Sequence, residues 1–142
     1  MAKSKKVAAT DNAQKPRPVW SKGRSVETVT VGEGEYLSEI TIQTLNYDVF
    51  THCNMQPRPD ELFFRLGIVS ATNLVVADGS TVELTFDEYD INGTKYQRLS
   101  DDSWSFFGEN VMVTIMLTNA IKKLSGLTVD DILALKFFRP DK

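Results

Sequence analysis

The chain has one cysteine, Cys53, and one histidine, His52. An internal disulfide has no second half here, so the chain reads as made in a reducing compartment or indifferent to redox state. The same scarcity weighs against zinc, whose usual site takes four ligands, and the expectation is no metal and no cofactor. A histidine-based catalytic site is equally hard to build. On a helix the two neighbours point about 100° apart and make no ready pair of nucleophile and base. Long apolar runs are also missing. The longest uncharged one, Val111 to Ile121, is interrupted by Thr114, Thr118 and Asn119, and it is about half of the roughly 20 residues a membrane span requires. The opening Met-Ala-Lys-Ser-Lys-Lys-Val-Ala-Ala-Thr-Asp has no continuous apolar stretch after its lysines, as a signal peptide would. A soluble protein with no membrane partner is expected.

What is present is 142 residues with 42% hydrophobic content, enough for one domain with a real core. Charge is unevenly spread. Residues 1 to 24 carry seven cations, among them Lys3, Lys5, Lys6, Lys15 and Arg17, against Asp11 alone, a net of +6. Because the whole chain is −3, the remainder carries −9. The first 20 residues read as a basic arm, disordered or extended, ending in Lys15-Pro-Arg-Pro-Val-Trp20, where two prolines favour a polyproline-like path. Residues 21–142 read as a single domain. Arm and body then meet different partners, or the arm docks on the acidic face of a neighbouring copy in a homo-oligomer; a merely solubilising terminus is the plainer alternative. Trp20 is an anchor on a partner or a pin holding the arm to its own body.

Periodicity predicts an α+β domain. Val29 and Val31 alternate with Thr28 and Thr30, and Ile40 and Ile42 with Thr41 and Gln43, giving a hairpin with strands at about 26–31 and 36–44 around Gly32-Glu-Gly34. Asn46 caps a short helix from Tyr47 to about Met55. Pro59, Asp60 and Glu61 open a second, at about 59–71, with Leu62, Phe63, Leu66 and Val69 at helical spacing. The Asp78-Gly79 turn between apolar runs is the strongest hairpin signal in the chain. Asn92-Gly93 suggests a further hairpin, although Thr85-Phe-Asp-Glu88 also fits a capping box that would begin a helix. A loop or short helix capped by Ser100 then leads to a helix at about 109–125. There Val113, Leu117, Ala120, Ile121 and Leu124 form one apolar face, and Met112, Ile115 and Met116 a second that should also be buried. Lys122, Lys123 and Gly126 mark its end. That helix is expected to be the centre on which the β-hairpins of the first two-thirds pack. A short final helix over Thr128 to Phe138 closes the chain.

The remaining patterns have structural explanations. Gly32 and Gly34 lack the third glycine and the following helix of a phosphate loop. In Glu88-Tyr-Asp-Ile-Asn-Gly93-Thr, a calcium loop would require a bidentate acid six residues after the glycine, where Leu99 stands. Asp101-Asp102 and Asp130-Asp131 sit where helix N-termini attract negative charge, so capping explains them more simply than acid–base work. No catalytic residue emerges, and the chain is not expected to be an enzyme. Nucleic-acid binding would have to use the arm, whose five basic residues before Trp20 would give weak, salt-sensitive contact.

Two stretches together carry a family resemblance. Val-Thr-Val-Gly-Glu-Gly-Glu-Tyr-Leu-Ser-Glu-Ile-Thr-Ile leads into Leu-Asn-Tyr-Asp-Val-Phe, and the chain closes on Ala120-Ile-Lys-Lys-Leu-Ser-Gly-Leu-Thr-Val-Asp-Asp-Ile-Leu-Ala-Leu135 and Phe137-Phe138. This resembles the small tail-assembly chaperones and minor tail or baseplate proteins of tailed bacteriophages, over about half the chain. The basic arm departs from the chaperone pattern and fits a virion component better. The resemblance implies a non-enzymatic structural or assembly protein, acting through protein contacts with other virion or tail proteins, in the virion or the host cytoplasm. Its partner-binding residues would be the arm's Lys3, Lys5, Lys6, Lys15, Arg17 and Trp20 together with Phe137, Phe138 and Arg139.

Overall fold

The computed structural model describes residues 24–127, which form a mixed α+β fold of antiparallel sheets and four helices. Strands β1 (Val26–Val31) and β2 (Ser38–Gln43) pair in the register Val26↔Gln43 to Val31↔Ser38. Ile40 and Ile42 point inward and are fully buried, and Val29 and Val31 pack beside them. The second strand begins at Ser38 rather than 36, because Gly34–Tyr36 forms a single 3-10 turn. Gly32 has φ +90°, and a Cβ there would lie 2.5 Å from the Tyr36 carbonyl oxygen, so the turn admits only glycine.

Helix α1 (Tyr47–Asn54) starts on its predicted cap, the Asn46 side chain accepting from the Val49 N–H at 2.9 Å. Helix α2 has Pro59 at its first position but ends at Gly67, not at 71. The next five residues are β3 (Ile68–Thr72), which adds to β2 and gives the order β1-β2-β3. Two causes end the helix early. The Leu66 carbonyl accepts from Gln43 Nε2 at 2.9 Å, and β-branched Ile68 and Val69 find an open strand edge to pair with. Val69, expected on the apolar helical face, is 37% exposed instead.

The Asp78-Gly79 turn forms, but the hairpin it joins is short: β4 is Leu74–Val75 and β5 is Thr81–Val82. The Asp78 carboxylate accepts from both the N–H and the hydroxyl of Ser80, which lowers its pKa below the usual carboxylate value. The longer hairpin is the next one, β6 (Phe86–Ile91) with β7 (Thr94–Leu99), turning through Asn92 and Gly93 at φ +53° and +89°. The capping-box alternative is not adopted. Helices α3 (Asp101–Gly108) and α4 (Val111–Leu124) follow.

The most enclosed element is α2, not the later helix the periodicity favoured as the centre. All of Leu62 to Gly67 is buried, between α1, α4, β3 and β7. Arg65 is tolerated there because its Nε donates to the Leu99 carbonyl at 2.9 Å while its other nitrogens reach Glu61 at 3.2 Å and Asp101 at 2.7 Å. Helix α4 meets this core on one side only. Leu117 and Ile121 are fully buried, Val113, Ala120 and Leu124 partly so, and the expected second buried face is exposed.

Candidate interaction surface

The exposed face of α4 follows from how the helix is locked in rotation. At its start, Asn110 Nδ2 donates to the Phe106 carbonyl at 2.8 Å, and the Thr114 hydroxyl donates to the Phe107 carbonyl at 2.6 Å across the elbow from α3. The Thr118 hydroxyl donates back to the Thr114 carbonyl at 2.8 Å, which lets the threonine side face inward with its polar atoms satisfied. At the far end, Ser125 Oγ accepts from the Leu45 N–H at 2.9 Å. Beside it Lys122 Nζ pairs with Asp60 at 2.8 Å and lies over the Phe63 ring. With Leu117 and Ile121 fixed toward α2, the helical period turns residues 111, 112, 115 and 116 outward.

Those positions are Val111, Met112, Ile115 and Met116, exposed at 58, 75, 48 and 44%. Spacings of three and four place them side by side, so they form one stripe rather than scattered apolar residues. Further along the same side come Asn119 and Lys123. An apolar stripe of this kind is suited to docking the apolar face of an amphipathic segment, and methionine adapts its shape to what it meets.

A concavity of about 310 Å³ opens between α2 and the β6–β7 hairpin, lined among others by Arg58, Arg65, Tyr89 and Arg98. Each arginine already has a carboxylate: Arg58 and Arg65 share Glu61, and Arg98 reaches Asp87 at 3.1 Å while stacking on Tyr89. Tyr89 in turn holds His52 Nε2 at 2.7 Å. The cleft is therefore a satisfied ion-pair network that braces α1 and α2 against the hairpin.

The residues first singled out for chemistry take structural places. Cys53 is fully buried, and burial pushes its thiol up to about 12, where it is a poor nucleophile. Asp101 sits in the first turn of α3 and pairs with Arg65. Asp90 Oδ1 accepts from the Gly93 N–H within its turn. Among the described residues no group of three or more His, Cys, Asp or Glu side chains is placed to share a metal ion. No helix there is long and apolar enough to cross a membrane. Lys3, Lys5, Lys6, Lys15, Arg17, Trp20, Phe137, Phe138 and Arg139, the partner-binding residues expected from the sequence, lie outside the described residues. The α4 stripe was missed as a surface because its residues read as core; the signal was a helix apolar on more than one side, with two methionines. Comparison with known proteins finds no match: no family model, no curated protein and no solved structure.

Proposed function

We propose that this chain is a non-enzymatic assembly protein that binds an amphipathic segment of a partner along α4, with that segment's apolar side chains over Met112, Ile115 and Met116. The observation that supports this is the contiguous stripe of Val111, Met112, Ile115 and Met116 on a helix whose rotation is fixed from both ends. Such a surface costs solubility unless something covers it. The partner class, a tail or virion protein of a bacteriophage, comes from the resemblance carried by the first hairpin and the Ala120–Leu135 stretch. The basic arm, opposed to the −9 of the rest of the chain, supplies a second contact, on an acidic neighbour.

The test is mass measurement of the purified chain alone and beside candidate tail proteins, for the wild type and for Met112→Glu with Met116→Glu. Both positions are on the surface, so the double variant should melt like the wild type and lose the complex. A complex of unchanged affinity in the double variant would exclude α4 as the docking surface.

A further inference from the structure

Strand β1 ends the three-stranded sheet, so one of its edges meets β2 and the other is open among the described residues. The phase of the ladder decides which backbone groups stand at the open edge. The Thr44 N–H donates to the Ser25 carbonyl at 3.0 Å, and in an antiparallel pair the bonded partners recur at every second residue. The bonded pairs are therefore Glu27 with Ile42, Val29 with Ile40 and Val31 with Ser38. The N–H and C=O groups of Val26, Thr28 and Thr30 point the other way, and all three residues are exposed.

Edges of this kind are normally blunted by proline, lysine, a bulge or a very short strand. β1 has none of these: it is Val-Glu-Thr-Val-Thr-Val in unbroken register with β2. On the other side of the sheet the pairing of β3 shifts between Thr41 and Ile42, which disrupts the regular edge there.

The side chains define what an added strand must carry. Glu27, Val29 and Val31 share the sheet face of Ile42 and Ile40, both fully buried, and the two valines are half-buried against the core. A strand with apolar residues beside Val29 and Val31 would extend that face by one row. Glu27 is the exception on it, an exposed carboxylate with no ion pair among the described residues. A cation directly opposite would complete it. Running antiparallel to β1, the added strand then reads apolar-x-apolar-x-cation from its N-terminus. A second copy of β1 is a poorer occupant, because β1 contains no cation.

We propose that the open edge of β1 accepts an extended strand of a partner protein, antiparallel, with β-branched residues beside Val29 and Val31 and a lysine or arginine beside Glu27. Main-chain bonds to Val26, Thr28 and Thr30 supply the affinity, and the alternate side chains supply the selectivity. This contact is separate from α4, and neither reading depends on the other.

The probe is a synthetic peptide in which threonines alternate with valine, valine and lysine, in that order, titrated into the isotopically labelled full chain. Without peptide, the amides of Val26, Thr28 and Thr30 should exchange with solvent roughly tenfold faster than those of Glu27, Val29 and Val31. Saturating peptide should abolish the difference. Three amides still unprotected at saturation would overturn the proposal. So would equal protection in the free monomer, which would mean that the chain fills its own edge, or protection that grows with protein concentration alone, which would give the edge to a second copy. Replacing the peptide's lysine by glutamate should weaken binding roughly fivefold, and Glu27→Lys should invert the preference. Equal binding of the two peptides by the wild type would refute the assigned register. Thr28→Pro removes an outward N–H that no described group uses, so the variant should keep its circular dichroism spectrum and lose the peptide. Retained affinity in the folded variant would exclude main-chain pairing.

Discussion

Replacing Gly67 by alanine tests the contact that holds α4 with its methionines outward. A Cβ at Gly67 would lie 2.6, 2.7 and 2.9 Å from Cδ1, Cγ2 and Cγ1 of Ile121. Because both branches of the isoleucine are involved and its exposure is zero, moving the far end of the side chain alone does not relieve the contact, and Ile121 or the helices that hold it must shift. Overpacking of this kind costs about 1–3 kcal/mol. The gain in helix propensity from replacing glycine is at most about 1 kcal/mol, and smaller at the last helical position. A net loss of about 1–2 kcal/mol follows, a fall in Tm of roughly 3–8 °C for a chain of this size. Urea and thermal unfolding followed by circular dichroism measure it. The decisive comparison is Gly67→Ala in an Ile121→Ala background. There the cavity, itself costing about 2–5 kcal/mol, accepts the methyl group, and the second substitution should be neutral or stabilising. A Gly67→Ala protein as stable as the wild type, or one equally damaged in both backgrounds, would refute the close approach of α2 and α4.

Other expectations follow from the same contacts. The Cys53 thiol, raised by burial to about 12, should resist thiol reagents at pH 8 in the folded chain and react at once in denaturant; rapid native labelling would contradict its burial. Since the folded state keeps this proton to higher pH than the unfolded one, the associated stability is complete below about pH 9. It is then lost between about pH 9 and 12, at up to about 1.4 kcal/mol per unit. Arg65→Lys cannot make all three of the arginine's contacts and should cost about 1–3 kcal/mol by leaving the Leu99 carbonyl without its donor. Asp101→Asn should cost under about 1 kcal/mol because the Asp101 side chain is 89% exposed; equal losses would show that the ion pair, not the carbonyl, matters. Deleting residues 1–19 should leave Tm unchanged and weaken assembly, and unchanged assembly would remove the arm from the interface. If the arm instead binds nucleic acid, filter retention will fall steeply with salt and disappear on the same deletion.

Local rules located most elements because they rest on single residues that do one job. Asn46 caps α1, Pro59 opens α2, Asn92-Gly93 turns the β6–β7 hairpin, and Ser100 starts α3 by accepting from the Ser103 N–H. Where they failed, a partner distant in sequence decided the outcome. Gly67 and the β-branched Ile68 and Val69 permit the helix to stop there but do not require it; the hydrogen bond from Gln43 to Leu66, 23 residues apart, and the free edge of β2 decide it. Likewise the Asp78-Gly79 signal was correct for the turn and uninformative about strand length, which depends on what the flanking residues find to pair with.

The candidate surface shows the same limit in sharper form. A helix apolar around more than half its circumference is buried on several sides or reserves a face for something else, and its sequence alone does not separate the two. Thr114 and Thr118 had read as polar interruptions of an apolar run, which argues for turning them to solvent. In the fold they face inward, because each hydroxyl finds a backbone carbonyl, and a satisfied threonine is as acceptable inside as a valine of similar shape. Once that side is committed to the core, 3.6-residue geometry leaves Met112, Ile115 and Met116 no inward position. The Thr114 bond across the elbow, together with the burial of Leu117 and Ile121, thus turns four residues with core composition into a surface. Removing that bond, by Thr114→Val, should therefore loosen the elbow between α3 and α4 and raise amide exchange at Phe107 to Thr114, while a change confined to residue 114 would mean that the rotation of α4 is set by packing alone.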